Sequence, residues 1–258
     1  MSQICAIGVD AGSTTCKVVA VDADSRIVAW RLEPALALIE EQAKSLVDDV
    51  SAKAGASVAP TVVATGYGRK LVANAARSVT EITCHATGVF KEFKRPGTLV
   101  DIGGQDSKVI VIGPEGRVID FVMNDKCAAG TGRFLEHAAA RLGVSLESMS
   151  ERALAAETEE TISSTCTVFA ESEIISLIAH GASVDAIMRG LHRSLISRVV
   201  AMVSSVGLRP PLMLSGGVAK NAALCKMLGE SLGEPVSLPS EPQLMGAYGA
   251  ALLGVAMT

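Results

Sequence analysis

Aromatic residues are scarce in this chain of 258 residues, since Phe, Trp and Tyr together make up only 3% of it. The chain also lacks a basic excess, because 27 acidic residues outnumber 23 Lys and Arg residues and leave a net charge of −4. Proteins that bind nucleic acid commonly combine a basic surface with aromatic rings that stack on bases. The composition therefore argues against nucleic acid as the main partner.

Long hydrophobic runs are also missing, and none reaches the roughly 18 residues that a membrane-spanning helix needs. The chain runs straight into an apolar, strand-like segment at 4–9, without the basic stretch that opens a secretory signal peptide. We therefore expect a soluble, cytoplasmic protein with no membrane partner. Apolar residues make up 49% of the chain and charged residues 19%, which is ample for a folded core.

The six cysteines include no CxxC pair, so the usual spacing of a zinc site is absent, and a cytoplasmic location disfavours structural disulfides. Cys127 and Cys166 differ from the others because each precedes a segment patterned as an amphipathic helix. A helix N-terminus favours a thiolate, so the two could ligate an anionic cluster or be free thiols at helix starts. A [4Fe–4S] cluster usually takes four cysteines, which two chains would supply together. The remaining cysteines stand among apolar neighbours and are expected in the core: Cys5, Cys16, Cys84 and Cys225.

One pattern occurs twice, at an offset of 91 residues, the difference between positions 10 and 101. In each copy an Asp ends an apolar strand, a Gly follows two residues later, and a Lys opens the next strand seven residues after the Asp. A repeated hairpin predicts two similar lobes. We expect one lobe over 1–97, to which a C-terminal helix at 243–258 returns, and a second over 98–242 that carries the two distinctive cysteines. The matched positions are Asp10, Gly12 and Lys17, and Asp101, Gly103 and Lys108.

Glycine-rich turns at three points predict phosphate binding. Phosphate oxygens need several N–H donors at once, and a turn with little Cβ bulk lets backbone amides approach them, helped by hydroxyls and a lysine. Neither the GxGxxG nor the GxxxxGK[ST] pattern is present, which disfavours the nucleotide folds that carry them. A lysine at the start of a strand is equally often a solvated edge residue. The candidate nucleotide-binding residues are Gly12, Ser13, Thr14, Lys17, Gly103, Gly104, Gln105, Gly216 and Gly217.

Three polar residues of these turns are candidates for catalysis. Asp10 and Asp101 end buried strands, where a carboxylate can hold Mg²⁺ through water. Together with Gln105 they are also candidates for positioning an attacking water, a role that carboxylates and amides have in phosphoryl transfer. Glu171 and Glu173 are interpreted as helix surface. The segment Thr65 to Arg69 is interpreted either as a functional segment or as an ordinary turn between a strand and a helix.

Hydrophobic periodicity predicts most of the helices. The sequence favours a third strand over 26–32, a short buried strand over 61–64 and another over 211–214. It predicts only a polar connection between the helix that ends near 142 and Cys166. The predicted helices cover 35–54, 132–142, 185–206 and 244–256, with others following Arg69, Cys166 and Asn221.

The duplicated hairpin resembles the two phosphate-binding segments of the actin-like ATPases, the superfamily of actin, hexokinase and the large heat-shock chaperones. This resemblance implies an α/β fold with two ribonuclease-H-like lobes that close on ATP and Mg²⁺. It leaves open a small-molecule kinase of the sugar-kinase type, which would need neither Cys127 nor Cys166. It also leaves open a non-catalytic actin-like scaffold.

Four longer segments resemble the 2-hydroxyacyl-CoA dehydratase activators, the BadF/BadG/BcrA/HgdC ATPase family. They are 101–109 (DIGGQDSKV), 123–136 (MNDKCAAGTGRFLE), 163–173 (SSTCTVFAESE) and 215–221 (SGGVAKN), in the order that the family has them. The resemblance implies a homodimer with one [4Fe–4S] cluster at its interface, held by Cys127 and Cys166 of each subunit. It also implies that hydrolysis of ATP to ADP is coupled to ejecting one low-potential electron into a partner iron–sulfur dehydratase or reductase. Ferredoxin or flavodoxin is the electron donor expected for this family.

Overall fold

The computed structural model describes residues 4–55, 59–163 and 166–257. Within these residues the chain forms two five-stranded sheets. The strands of the first are β1 (Ile4–Ala11), β2 (Thr15–Asp22), β3 (Ile27–Pro34), β4 (Thr61–Thr65) and β5 (Arg77–Ser78). Those of the second are β6 (Gly97–Ile102), β7 (Ser107–Ile112), β8 (Val118–Asn124), β9 (Leu212–Ser215) and β10 (Val236–Ser237).

The two sheets repeat one order of strands. The first runs β3-β2-β1-β4-β5, and the second runs β8-β7-β6-β9-β10. In the first sheet β1 and β2 form an antiparallel hairpin, and β4 lies parallel to β1 on its other side. In the second sheet β9 lies parallel to β6 in the same way. The hairpin duplication expected from the sequence is therefore part of a duplicated sheet.

Eight helices of the α type lie within the described residues. They connect the strands and cover the sheets, which explains why β1 and β7 are apolar and buried along nearly their whole length. The helices are α1 (Ile39–Lys53), α2 (Glu81–Phe93), α3 (Gly132–Leu142), α4 (Leu146–Ala155), α5 (Thr167–Ala179), α6 (Val184–Val206), α7 (Ala222–Leu232) and α8 (Met245–Val255).

The chain divides into two compact units. One comprises Met1–Pro96, Ile112–Ile119 and Pro239–Thr258, and the other comprises Gly97–Val111 and Asp120–Leu238. The core of the first lies between its sheet and the helices α1, α2 and α8. The core of the second surrounds α6, whose buried face includes Leu191, Leu195 and Val199.

Glycines allow α8 to pack closely in the first unit. A Cβ on Gly249 would collide with the carbonyl oxygen of Cys84 in α2, and a Cβ on Gly8 of β1 would collide with the carbonyl oxygen of Ala247. The backbones therefore approach to distances that a side chain would prevent. The Gly/Ala-rich sequence of α8 permits this close packing against β1 and α2.

Two helix predictions need correction. The helix expected directly after Arg69 is wrong, because only a single 3₁₀ turn (Arg69–Leu71) forms there and Asn74 adopts a left-handed conformation with φ 61°. The polar connection expected before Cys166 instead contains α4. Ser145 caps α4 by accepting a hydrogen bond from the Ser148 amide at 3.1 Å.

The other predicted helices are present, with ends that differ by a few residues. None of the helices in 4–55, 59–163 and 166–257 combines the length and the apolar character that a bilayer crossing requires.

Candidate functional site

The first phosphate-type turn links β1 to β2. Asp10 lies near the end of β1 with 5% of its surface exposed, and the Lys17 ammonium lies 3.0 Å from its Oδ2 atom. The Gly12 amide donates to the Thr15 carbonyl at 3.2 Å, which closes the turn. This arrangement puts a buried carboxylate and a cation at the base of a turn whose backbone carries little side-chain bulk.

The second turn has the same construction. Lys108 lies 3.3 Å from Asp101 Oδ2, and the Gly103 amide donates to the Asp106 carbonyl at 2.9 Å. Each residue of the second turn lies 91 positions after its counterpart in the first turn. The copies differ at Asp106, whose carboxylate lies 2.9 Å from Lys108, where the first turn has Thr15.

The equivalence extends to the strand beside each hairpin. Thr65 is aligned with Asp10, and Ser215 is aligned with Asp101. Each is followed by a glycine with a left-handed backbone, Gly66 at φ 86° and Gly216 at φ 88°. The Ser215 hydroxyl donates to Asp101 Oδ1 at 2.8 Å.

Both glycines are required by close contact. A Cβ on Gly66 would lie 2.5 Å from Asp10 Oδ1, and a Cβ on Gly216 would lie 3.0 Å from Asp101 Oδ1 and collide with the Ile102 carbonyl oxygen. A side chain at either position would also strain the backbone. The predicted turn at Gly216 thus has a counterpart at Gly66, and each lies against the Asp of its own unit.

The two lysines are not solvated edge residues. The side chain of Lys17 is 16% exposed, whereas that of Lys108 is 3% exposed and enclosed by two carboxylates. Buried charges of this kind persist only when they are paired. Lys17 has one carboxylate partner and some access to solvent, so it is the better placed of the two to contact a ligand.

Further groups surround Asp10. A Cβ on Gly246, in α8, would lie 3.2 Å from Asp10 Oδ2 and 2.8 Å from Nε2 of His85, so these three residues meet at one point. Burial, with a smaller contribution from the Asp10 charge, raises the pKa of Cys16 to about 12. Burial also raises the pKa of Cys84 to about 12, although a hydrogen bond with Thr65 opposes that rise. Both thiols are therefore protonated core groups at neutral pH.

The remaining predicted turn residues vary in exposure. Ser13, Gln105 and Gly217 are exposed, so their polar groups are accessible. The hydroxyl of Thr14 is buried without a hydrogen-bond partner among the described residues. A buried hydroxyl of this kind normally has a partner, which makes Thr14 a suitable donor to a phosphate oxygen.

The second turn is joined directly to the start of α3. The amides of Gly132 and Arg133 donate to the carbonyl oxygens of Gly103 and Gly104, at 2.8 and 2.9 Å. These are two of the N–H groups that a helix leaves unsatisfied at its N-terminus. The hydroxyl of Thr131, the N-cap residue, does not satisfy them, because it donates to the Ala128 carbonyl at 2.6 Å.

Cys127 lies in the loop between β8 and α3. It is exposed, and four residues lie between it and Gly132, the first residue of α3. Cys127 therefore precedes α3, as predicted, but does not stand at the helix N-terminus, the position at which a thiolate is favoured. The side chain of Asn124, the last residue of β8, holds the loop instead. Its amide nitrogen lies 2.9 Å from the Cys127 carbonyl oxygen and 3.1 Å from that of Ala129.

Cys166 is the N-cap residue of α5, as the sequence predicted, and is partly exposed. Ser164 and Thr165, which precede it, lie outside the described residues. The helix itself is not amphipathic as expected, because Val168 and Phe169 are each 68% exposed. It packs against α3, and Arg141 of α3 lies 3.5 Å from Glu171.

Glu173 has a contact that the sequence did not predict. Its carboxylate accepts hydrogen bonds from the amide and hydroxyl of Ser163, at 2.9 and 2.8 Å. Glu173 therefore lies on the surface of α5, as interpreted, and also makes a specific contact with Ser163. Glu173 joins α5 to the segment that leads to Cys166. Asn124 likewise joins β8 to the loop that carries Cys127.

No group of three or more His, Cys, Asp and Glu side chains in the described part of the chain is arranged to hold a metal ion. Each cysteine proposed from the sequence belongs to the second unit. Of the other cysteines, Cys225 is partly buried and lies 3.3 Å from the Ala219 carbonyl oxygen, and burial raises its pKa.

Two α/β units with one strand order, each with an Asp–Lys hairpin, define an actin-like ATPase fold. A ROK family glucokinase from Streptomyces griseus, solved with glucose and AMPPNP, shares it with a TM-score of 0.61 at 16% identity, over 97% of this chain and 98% of that chain. At that identity the likeness establishes the fold alone. The pattern of the BadF/BadG/BcrA/BcrD ATPase family matches residues 7–254, and the chain belongs to this family.

Individual relatives agree with this membership. The chain is 42% identical to the 2-hydroxyisocaproyl-CoA dehydratase activator of Clostridioides difficile, over 74% of this chain and 72% of the relative. It is 38% identical to the (R)-2-hydroxyglutaryl-CoA dehydratase activating ATPase of Acidaminococcus fermentans, over 97% and 96%. The structure of the activator of the 2-hydroxyisocaproyl-CoA dehydratase from Clostridium difficile, with bound ADPNP, matches with a TM-score of 0.90 and 36% identity, over 99% of this chain and 95% of that chain.

Proposed function

We propose that this protein is an ATP-dependent activator that passes one low-potential electron to a partner iron–sulfur enzyme, a 2-hydroxyacyl-CoA dehydratase or a related reductase. The observation that carries the proposal is the direct connection between the second phosphate-type turn and the helix that follows Cys127. The Gly103 and Gly104 carbonyls bind the first amides of α3, so a change at this turn reaches the cysteine loop within a few residues. The named activators among the relatives support the same role.

ATP is the proposed ligand of the hairpin turns. Gly12, Ser13 and Thr14 offer backbone amides and hydroxyls to phosphate, and Lys17 offers a partly accessible cation. In the other unit Gly103, Gly104 and Gln105 form the equivalent turn, with Gly216 and Gly217 beside it. Membership of an ATPase family and the ADPNP-bound relative support this assignment.

Asp10 and Asp101 are the proposed Mg²⁺ carboxylates. Each is already paired with a lysine at 3.0 or 3.3 Å, which suits an indirect contact through metal-bound water rather than direct coordination. Gln105 is exposed at the tip of its turn, where its amide is free to orient an attacking water. We propose these three residues as the catalytic set.

Cys127 and Cys166 fit a cluster that two chains share. Cys127 is exposed and Cys166 is partly exposed at a helix N-terminus, where positive partial charge favours an anionic ligand. Two thiolates from each of two chains supply the four that a [4Fe–4S] cluster takes. When bound, such a cluster accepts one electron, for which ferredoxin or flavodoxin is the proposed source, and delivers it to the partner enzyme.

The exposed start of α5 fits an interface. Val168 and Phe169 lie two and three residues after Cys166 and are each 68% exposed. Large apolar side chains with this exposure commonly become buried on association. We therefore propose that a second copy of the chain covers them in a homodimer.

The test is the iron and acid-labile sulfide content of anaerobically purified protein, measured with its native mass. We expect about four of each per dimer. Cys127→Ala and Cys166→Ala should each abolish the iron, whereas Cys5→Ala, on β1 of the other unit, should retain it. Full iron in both of the first two variants, or an iron-free monomeric wild type, would contradict the proposal.

A sugar-type kinase is the alternative on this fold. The likeness to the glucokinase rests on 16% identity and carries the fold alone. A kinase also leaves the two cysteine segments without a role. Phosphorylation of a sugar by the iron-free protein would favour it.

A further inference from the structure

We infer that Asn124 is a positioning residue for the Cys127 thiolate, an inference that rests on the proposed function because it concerns the cluster that Cys127 would hold. Asn124 is the last residue of β8 and belongs to the second sheet. Cys127 lies three residues further on in an exposed loop. The side chain of one residue thus connects a fixed strand to a loop that carries a proposed ligand.

The amide of Asn124 binds both backbone polar groups of Cys127. Its nitrogen Nδ2 donates to the Cys127 carbonyl oxygen at 2.9 Å, and its oxygen Oδ1 accepts from the Cys127 amide at 3.3 Å. The same Nδ2 donates to the Ala129 carbonyl oxygen at 3.1 Å. The two peptide planes that flank Cys127 are therefore both fixed, which sets the direction of its Cα–Cβ bond.

Regular secondary structure does not hold this loop, because Asp125 to Thr131 lie between β8 and α3. Gly130 has a left-handed backbone at φ 88°, and Thr131 closes the far end by binding the Ala128 carbonyl through both its amide and its hydroxyl. The Asn124 side chain closes the near end. Without it, residues 125–129 would lose three hydrogen bonds and the fixed orientation of the thiol.

Asparagine is the residue type that this geometry needs. Aspartate has the same shape and keeps the acceptor for the Cys127 amide, but it has no donor for the two carbonyl oxygens. It would also place a negative charge against those oxygens. Alanine removes all three hydrogen bonds. The two variants therefore separate loss of the donors from loss of the whole side chain.

Some residues orient a metal ligand by hydrogen bonding without binding the metal themselves. Mutation of such a residue typically lowers the metal affinity 10–100-fold. We therefore expect iron to leave Asn124→Asp and Asn124→Ala about 10–100-fold faster than it leaves the wild type. The measurement starts from full-length dimer reconstituted anaerobically with ferrous iron and sulfide, and follows iron transfer to a ferrous chelator. Asp125→Ala is the matched control. The Asp125 side chain is next to Asn124 in the loop and makes no hydrogen bond or ion pair among the described residues.

A second readout separates positioning from folding. The melting temperature of cluster-free Asn124→Asp should stay close to that of the wild type, because residues 125–127 are exposed and none of residues 125–131 belongs to the hydrophobic core cluster of the second unit. If Asn124→Ala fails to fold, Asn124→Asp carries the test. Iron release at the wild-type rate from the folded variants would overturn the role of Asn124, and so would equal acceleration by Asp125→Ala.

The outcomes also distinguish this inference from the proposed function. If the wild type binds iron and Cys127→Ala does not, the cluster assignment stands whatever the Asn124 variants do. If the wild type assembles no cluster, that result contradicts both the proposed function and the role of Asn124.

Discussion

The Lys17 ammonium lies 3.0 Å from the Asp10 carboxylate, across the hairpin that β1 and β2 form. In the second copy of the hairpin Lys108 lies 3.3 Å from Asp101, but a further carboxylate, that of Asp106, lies 2.9 Å from the same ammonium. The Lys108 side chain is 3% exposed and that of Lys17 is 16% exposed. The two hairpins therefore repeat the Asp–Lys ion pair, but the second lysine is more deeply buried and contacts an additional carboxylate. We expect different consequences when each lysine is removed.

Lys108→Met should destabilise the protein strongly. It leaves the Asp101 and Asp106 carboxylates buried without their cation, and breaking a buried ion pair in this way typically costs about 3–5 kcal/mol. The free energy of unfolding in urea measures the effect. A loss below about 1 kcal/mol would mean that the two carboxylates find other partners or take up protons.

Lys17→Met should affect ATP hydrolysis more than stability. Asp10 is its one carboxylate partner among the described residues and is buried, with a side chain 7% exposed, so the substitution leaves one unpaired carboxylate where Lys108→Met leaves two. The proposed contact of Lys17 with phosphate also disappears. Removing one group that stabilises charge in a transition state commonly lowers kcat by about 100-fold or more. Steady-state ATPase rates, with a melting curve on the same sample, test this. Wild-type turnover in a folded Lys17→Met protein would remove Lys17 from the site.

Gly249→Ala should destabilise the first unit by sterics alone. Its Cβ would collide with the Cys84 carbonyl oxygen where α8 crosses α2, and overpacking of this kind typically costs about 1–3 kcal/mol. Ala otherwise favours a helix over Gly by about 1 kcal/mol, so the sign of the change is diagnostic. Urea unfolding measures it, and a more stable Gly249→Ala would show that the helices can separate freely.

Gly233→Ala is the control for that experiment. Gly233 has φ 68° at the end of α7, with nothing within 4 Å of a built Cβ. The substitution therefore costs only the left-handed conformation, about 1–2 kcal/mol. Gly249 has a helical backbone, so a loss of stability there comes from the contact with Cys84 and not from a left-handed conformation. A gain of stability at Gly249 beside a loss at Gly233 would mean that contact with Cys84 adds nothing.

The duplicated hairpin was predictable because each Asp, Gly and Lys keeps one spacing, so the repeat is visible in the sequence. The equivalence of Thr65 with Ser215 was not predictable in the same way. Each lies opposite its own Asp in the parallel strand, but the second unit inserts α3 to α6 between the paired strands. Insertions of this length destroy a constant offset, so only the strand register reveals the match.

The cysteine segments show a second limit of sequence reasoning. The start of α5 at Cys166 was predicted, since apolar residues begin two positions after it, at Val168 and Phe169. The start of α3 at residue 132 was predicted too, but the course of the Cys127 loop was not. That loop is held by the Asn124 side chain, and the start of α3 is held by the backbone of Gly103 and Gly104, which is distant in sequence. Hydrogen bonds of single side chains leave no periodic signal. An Asn three residues before a Cys is the one local sign that could have been read.

A buried histidine should make stability depend on pH. Burial lowers the pKa of His192, which is fully enclosed in α6. Its Nδ1 lies 2.8 Å from the Met188 carbonyl oxygen, and its Nε2 lies 2.9 Å from the Asn221 amide nitrogen. The Asn221 oxygen already accepts from Leu224 and Ser150, so its nitrogen must donate to Nε2. The ring is therefore neutral in the folded protein.

The sign of the pH effect follows from that protonation state. Below about pH 6.5, the ordinary pKa of histidine, the unfolded chain takes up a proton that folded His192 resists. The free energy of unfolding should therefore fall as the pH drops from about 6.5 through the lower pKa of the folded state. Urea midpoints between pH 7.5 and 5 measure the slope. His192→Gln should flatten it and exposed His180→Gln should not; equal slopes in all three proteins would contradict this account.

The junction between the second turn and α3 offers a test of how the nucleotide reaches the cysteine loop. A Cβ on Gly132 would lie 3.1 Å from the Gly103 carbonyl oxygen and 3.3 Å from a methyl group of Val218. Both distances are tighter than ordinary contact, so an alanine there would push the start of α3 away from the turn. The hydrogen bond from the Gly132 amide to Gly103 would lengthen as a result.

Gly132→Ala should therefore weaken ATP binding by about fivefold, the equivalent of about 1 kcal/mol. If the contact with Gly103 did not matter, alanine at the first helical position would stabilise α3 and leave the Kd for ATP unchanged. The Kd and the melting temperature therefore both distinguish the two possibilities. Titration with ATP measures the Kd, and a melting curve measures stability. Gly143→Ala is the control, because it strains the other end of α3 at φ 67° without touching the turn. A Kd raised equally by both variants would mean that α3 responds as a whole and that its junction with the turn has no special part.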